Sequence, residues 1–425
     1  MPVNNARMGF SNAYDNVVRT LTTRQSQLAT LQENLTSGKR VLKASDDPTA
    51  AAQAERSLTR LARIAADQRA LEAQKNTISV AESTLGDVTD ALQRFRELTV
   101  NAGSATLTAS ERKTIAVELT GLREQILSYA NRKDNNGQPL FAALGSAQSP
   151  FSGPQPTVPG PDYQFQGLPG APASSETAIP AALDGESAFM LQTQRDGAYN
   201  VSVTNSPAGY IDPSRTLQTS PVSVTNNSLL TGLGYTLQVQ SVDTTTTPGT
   251  TVVNYSLTDS LGNPLATTPA SYPTAKSPAT FTVTDIPGMS LDVTVTGTPL
   301  VGDTITLKTS PSIFSVLDDA IRDIGGAVNG NAAAQAVGQA LNNIDIGMGR
   351  INAVRGIAGD LLNRADRIGS NQELRSVQLE ADRSRAEDLD MIKGVSDFQN
   401  QQTGYQAALQ SYAQVQKLSL FNFLS

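Results

Sequence analysis

Phe10, Tyr14, Val17, Leu21, Leu28, Leu31 and Leu35 fall at alternating steps of four and three, and only Arg24 interrupts the row. A 3.5-residue apolar repeat draws one narrow stripe along a helix, here predicted over residues 8–36, and such a stripe is buried only against a second helix. The stripe stops at Gly38, and Ser45-Asp46-Asp47-Pro48 follows before any local partner appears. The spacing returns at the far end, in Tyr405, Leu409, Tyr412, Val415 and Leu418, with Phe421 and Phe423 behind them. The pattern predicts that the two termini pair. Two uses fit the stripe: the core face of an amphipathic helix, or a seam used in assembly. These apolar residues are the candidate assembly interface. An apolar ending costs about 1.5–3 kcal/mol for each large side chain left in water, so Phe421 and Phe423 must pack on something.

Between the termini the pattern changes twice. Residues 37–50 read as a linker ending in a helix start, with Asp47 as N-cap and Pro48 at the first helical position. Asp46 and Asp47 could also be read as metal ligands, although no further oxygen ligands stand nearby. A helix is predicted over 49–103, where Leu58, Leu61, Ala65, Gln68, Leu71, Lys75, Ile78, Leu85, Leu92 and Phe95 keep near-heptad spacing. At 1.5 Å per residue it would be roughly 80 Å long. Thr108 and Glu111 form a capping box for the next helix, which carries Ile115, Leu119, Leu122, Ile126 and Tyr129 and pairs back as an antiparallel hairpin. Asn135-Asn136-Gly137-Gln138-Pro139 is a turn.

From 140 to 310 short alternating segments take over, at Tyr199–Val203, Tyr235–Val239, Val252–Leu257, Thr280–Thr284, Leu291–Val295 and Asp303–Leu307, and they predict strands. Pro150 to Pro172 is a proline-rich connection, and Thr244 to Thr251 is a threonine-rich run that fits an exposed loop better than a site. Helix returns at 312 with Phe314, Leu317, Ile321, Ile324 and Val328. A last helical stretch opens with Val337, Leu341, Ile344, Met348 and Ile351 and runs nearly to the end, with Ser396, Gln399, Thr403 and Gln406 on its stripe. Gly347, Gly349, Gly356 and Gly359 weaken it by about 1 kcal/mol each, and mark either close helix approach or a flexible rod.

The predicted fold is α+β: a long antiparallel coiled-coil helical rod built from both termini, with an inserted mainly-β domain in the middle. Its parts are a coiled-coil assembly segment at 1–45, a half-rod at 46–139, the β insert at 140–310, the second half-rod at 311–385 and a coiled-coil assembly segment at 386–425. The 425 residues hold roughly two to three domains by length.

Composition sharpens the picture. With no Cys and no His, thiolate and imidazole zinc sites, Cys nucleophiles and His-based triads are excluded. No carboxylate pair stands out, so no catalytic, cofactor or metal residues are assigned and an enzyme is not expected. Residues 140–310 carry 4 basic and 11 acidic side chains, whereas the flanks carry 28 of each, as solvated helix faces do. Nothing is basic enough to predict nucleic-acid binding, and no apolar run is long enough to predict a membrane span. Met1-Pro2-Val3-Asn4-Asn5-Ala6-Arg7 is not followed by the apolar run of a secretory signal.

Several stretches carry a family resemblance. They are Leu31-Gln32-Glu33-Asn34-Leu35-Thr36-Ser37-Gly38-Lys39-Arg40, Ala44-Ser45-Asp46-Asp47-Pro48, Gln402-Thr403-Gly404-Tyr405-Gln406-Ala407-Ala408-Leu409 and Leu418-Ser419-Leu420-Phe421. With Gly302-Asp303-Thr304, the chain resembles the flagellin superfamily of bacterial axial proteins, and within it the hook–filament junction branch. Gln138-Pro139-Leu140-Phe141-Ala142-Ala143 departs from the family's usual turn. The resemblance implies a non-enzymatic, extracellular adaptor without cofactors, exported through the flagellum's own channel without a cleaved signal. It would assemble with itself in a ring or helix, between hook-associated protein 1 below and flagellin above, after release by an export chaperone. It also implies termini that order on assembly, in keeping with the marginal stability of a lone helix in water. Two other roles remain beside it: flagellin itself, and a surface adhesin or binding module working through the β insert.

Overall fold

The computed structural model describes residues 4–154, 163–170, 175–204 and 216–424, with side-chain surroundings for 15–414 and 416 among them. Eight helices are described: α1 (Asn4–Ser37), α2 (Pro48–Ala102), α3 (Ala109–Ala130), the short α4 (Gly185–Phe189) and α5 (Thr193–Asp196), α6 (Ile313–Gly326), α7 (Gly330–Glu387) and α8 (Met391–Leu424). The strands are β1 (Phe151–Ser152), β2 (Gln164–Phe165), β3 (Tyr199–Thr204), β4 (Thr216–Thr219), β5 (Ser223–Val224), β6 (Tyr235–Asp243), β7 (Thr250–Asp259), β8 (Pro264–Leu265), β9 (Ala270–Pro273), β10 (Ala279–Val283), β11 (Met289–Thr296) and β12 (Thr304–Thr309). The helical termini and the mainly-β middle match the predicted class. The chain divides into two compact units, one of Met1–Ala70 with Ile368–Ser425 and one of Leu71–Arg367.

In the Leu71–Arg367 unit, α2 and α7 run antiparallel. Three ion pairs fix the register: Arg96–Asp345 at 3.0 Å, Glu82–Arg355 at 2.7 Å and Lys75–Asp366 at 2.7 Å. Leu71, Ile78, Leu85, Leu92 and Phe95 of the predicted α2 stripe are buried here. The capping box at the start of α3 is formed, the Thr108 hydroxyl accepting from the Glu111 N–H and the Glu111 carboxylate from the Thr108 N–H. The far end of α3 returns alongside α2, where Arg132 meets Asp87 at 3.1 Å. The following turn closes on Asp134, whose carboxylate accepts from the N–H groups of Asn136 and Gln138, with Gly137 at φ +77°.

Among the described residues every pairing between these strands is antiparallel. One sheet has the order β3-β12-β6-β7-β8, with β9 also on β7, and another β10-β11-β4, with β5 also on β11. Alternate residues of β7 and β11 point inward, and Val253, Leu257, Leu291, Val293, Ile305 and Leu307 belong to one core. A row of hydrogen bonds attaches this core to α7, and a separate cluster of Phe151, Tyr163 and Phe189, outside that core, packs on α6. Gln335, Gln339 and Asn343, spaced four apart on α7, donate to Thr219 Oγ1 (2.8 Å), the Ser220 carbonyl (2.7 Å) and the Tyr199 carbonyl (2.9 Å). On α6, Asp318 accepts from the Tyr163 hydroxyl (2.6 Å) and pairs with Arg123 of α3 (3.0 Å), while Phe314 packs among Phe151, Tyr163 and Phe189.

The last helical stretch is two helices. The backbone leaves the helix after Glu387 and restarts at Met391, where the Asp390 carboxylate accepts from the N–H groups of Ile392 and Lys393 as an N-cap. The four glycines of α7 also divide. A Cβ on Gly347 would overlap the buried Ile313 side chain, so that glycine marks a close approach, whereas Gly349, Gly356 and Gly359 face open space.

Candidate assembly surface

The Met1–Ala70 with Ile368–Ser425 unit packs α1 against α8. On α1, Val17, Leu21, Arg24, Leu28, Leu31 and Leu35 are half-buried along one heptad face, with exposed positions between them. Arg24, the one break in the apolar row, lies within this face. It meets Gly404 of α8, where a Cβ would run into the guanidinium. A glycine opposite an arginine thus lets a long polar side chain cross the seam.

The α8 face differs in phase from the predicted one. Gly394 is buried and Phe398, Gln401, Tyr405, Ala408 and Tyr412 are half-buried, whereas Ser396, Gln399, Thr403 and Gln406 are exposed and Leu409 is 42% exposed. Tyr405 and Tyr412 therefore stand on the half-buried face, and Leu409 on its outer flank. The reason is chemical: a glycine and a glutamine occupy inward positions, so a count of apolar residues skips them. Gly394 lets α8 approach the tip of Leu35, because a Cβ there would be tight against Leu35 Cδ2. The side chains of Phe10, Tyr14, Val415, Leu418, Phe421 and Phe423 lie outside the described residues.

Below the pair, the link from α1 to α2 is bonded to the link from α7 to α8. Gly38, at φ +70°, turns the chain out of α1. Its carbonyl accepts from the Leu389 N–H at 2.9 Å, and the Arg40 N–H donates to the Glu387 carbonyl at 2.8 Å. Lys39 and Asp388 bridge as antiparallel strands do, and the Lys39 ammonium pairs with the Glu387 carboxylate. The Arg40 guanidinium reaches both the Ala386 carbonyl (2.8 Å) and Asp47 (3.1 Å). Val41, Ala50, Ala54 and Ala386 close a small apolar core beneath.

The two carboxylates of Ser45-Asp46-Asp47-Pro48 are consumed in this joint. Asp47 accepts from the Ala50 N–H (3.0 Å) and the Thr49 hydroxyl (2.8 Å), and with Arg40 these bonds lower its pKa to about 2. Asp46 accepts from the N–H groups of Lys43 (2.9 Å) and Leu42 (3.1 Å), which lower its pKa as well. Among the described residues no group of three or more carboxylates is placed to hold a metal ion, and no helix is long and apolar enough to cross a membrane. Sequence reasoning missed the joint's second half, Ala386 to Asp390, because its bonds are made by backbone groups that no side-chain pattern reports.

Residues 11–145 match the bacterial flagellin N-terminal helical region and residues 336–424 the bacterial flagellin C-terminal helical region, together more than half of the chain. The chain belongs to the flagellin family. Within that family, flagellar hook-associated protein 3 of Escherichia coli K12 is 37% identical over 154 residues, 34% of this chain and 46% of that protein. The protein of the same name from Salmonella typhimurium LT2 is 35% identical over 153 residues, with the same coverage. The chain thus spans about half the length of the curated relatives it matches. A Treponema phagedenis flagellar filament 33 kDa core protein is 33% identical over 111 residues, 26% of this chain and 38% of that protein. The fold is shared with the solved flagellar hook associated protein-3 of Legionella pneumophila, at 24% identity and a TM-score of 0.58, covering 77% of this chain and 98% of that one. Xanthomonas campestris FlgL has the same fold at 22% identity and a TM-score of 0.52, covering 72% and 94%.

Proposed function

We propose that this chain is the structural adaptor between hook and filament of a bacterial flagellum, polymerising through its paired termini. The observation that carries the reading is the α1–α8 pair, a two-helix seam whose stripe residues Leu21, Leu28 and Leu31 stay half-exposed in a single copy. Two helices cannot cover each other's apolar faces fully, and further copies would complete the burial. The similarity to proteins named hook-associated protein 3 supports the junction role. In this role the chain works outside the cell as an exported flagellar component, seated on hook-associated protein 1 and carrying flagellin, after an export chaperone has held it. It acts by assembly, without catalysis or cofactor. The candidate interface is Val17, Leu21, Leu28, Leu31, Leu35, Tyr405, Leu409 and Tyr412, continued by Phe10, Tyr14, Val415, Leu418, Phe421 and Phe423.

The test is deletion of the gene, with microscopy of the cells and assay of the spent medium. Bare hooks with flagellin in the medium are expected. A second reading, filament subunit, draws on the filament core protein similarity, and it predicts missing filaments with no flagellin anywhere. Normal filaments would overturn both.

A further inference from the structure

The Met1–Ala70 with Ile368–Ser425 unit also carries large apolar side chains away from the α1–α8 face. Ile392 is 88% exposed, with Met391 and Val395 beside it on the first turn of α8. Its position is fixed, because the Asp390 cap and the joint to Gly38 hold the start of that helix. A knob of this size on a secured helix start is left uncovered by the described residues of its own chain.

The same unit has a hollow of the right chemistry. Leu61 of α2 with Val377 and Ala381 of α7 supply the apolar lining of a groove of about 510 Å³, which Ser376 and Ser384 also line. Val377 is 64% exposed and Leu374, one turn away, 70%. Glu380, which pairs with Arg383, and Asp388 also line the groove, and Lys393 follows the knob in sequence. An apolar knob followed in sequence by a cation matches an apolar groove that the Asp388 carboxylate also lines. Every copy carries both halves, and Ile392 does not fill the groove of its own chain.

We infer that Ile392 of one copy docks in the Leu61–Val377–Ala381 groove of the next copy. The contact joins two different surfaces, so it propagates head to tail and builds a ring or helix, not a closed pair. It lies apart from the stripe of the paired termini and would add a second, independent link between neighbours. The inference rests on the proposed self-assembly and names a surface for it.

The absence of Cys makes the test clean. Differently tagged full chains carrying Ile392→Cys or Val377→Cys are expressed together in cells lacking the native copy, and detached flagella are oxidised. The expected product is a mixed disulfide dimer at several times the yield of either same-variant dimer, and absent when either variant is expressed alone. Swimming cells without that dimer overturn the surface and leave the junction role standing. If cells swim equally well with neither chain, the junction role falls and the contact with it. Ile392→Asp is expected to weaken incorporation by about tenfold or more, and Ile392→Leu to leave it near normal. Equal incorporation of the Asp variant would also overturn the surface.

Discussion

Asp47 closes two structures with one carboxylate: it caps the start of α2 and it fixes Arg40, which in turn holds the Ala386 carbonyl. Its pKa is lowered from 3.8 to about 2, chiefly by the Ala50 N–H. A carboxylate with a depressed folded-state pKa contributes stability that is fully present above the unfolded value and is lost as pH falls through the folded one. Thermal melts followed by circular dichroism are therefore expected to show wild type above Asp47→Asn at pH 5, with the gap shrinking between pH 4 and 2. A constant gap would remove the charge from the account. This residue was legible in sequence, since an Asp before a Pro at a helix start has few other uses. Its partner Arg40 was not, because nothing local says that residue 40 reaches residue 386. Ala143 is another residue that sequence could not place. It sits at φ 54° in the turn after Phe141, a conformation costing a non-glycine residue roughly 1–2 kcal/mol. Ala143→Gly is expected to stabilise the Leu71–Arg367 unit by about 1 kcal/mol in urea unfolding.

At the scale of elements, periodicity placed α1, α2 and α3 to within a few residues, because long charged helices with one apolar stripe leave little alternative. It failed where a helix face is not apolar. The inward side of α8 is built partly on Gly394 and Gln401, and the break after Glu387 is made by Asp390 capping backbone, without Gly or Pro. The glycines of α7 separate for a similar reason, since sequence sees four equal weak points and packing sees one contact. Gly347→Ala would push a methyl into buried Ile313 and is expected to cost about 1–3 kcal/mol. Gly349→Ala and Gly356→Ala meet nothing, and each is expected to gain about 0.5–1 kcal/mol through helix propensity and a less flexible unfolded chain. Denaturant midpoints of the three variants measure this directly. A destabilised Gly356→Ala would show that this glycine has a contact partner or a function.

At the scale of the molecule, β strands were legible one by one, but their order was not. The neighbours β3 and β12 are about a hundred residues apart, and no short-range signal joins Tyr199 to Thr309. That pairing suggests how much of the chain assembly requires. Tyr199 lies opposite Thr309, and the Ser310 N–H donates to the Ala198 carbonyl at 3.1 Å, so a short Gly/Ser linker can span the ends of an excised 200–309 segment. Excision removes a core that is largely its own and frees Gln335, Gln339 and Asp323 from their partners, but it leaves Phe314 among Phe151, Tyr163 and Phe189. The freed groups reach water, so the loss is modest beside a charge in the seam. Leu28→Asp or Leu409→Asp sets a carboxylate where apolar contact with further copies is proposed, while the helical circular dichroism of the single chain is expected to persist. Returned to cells lacking the gene, the excised chain is thus expected to restore filaments, and the full-length Leu28→Asp and Leu409→Asp chains to fail. The reverse result would move assembly from the paired termini to the β region.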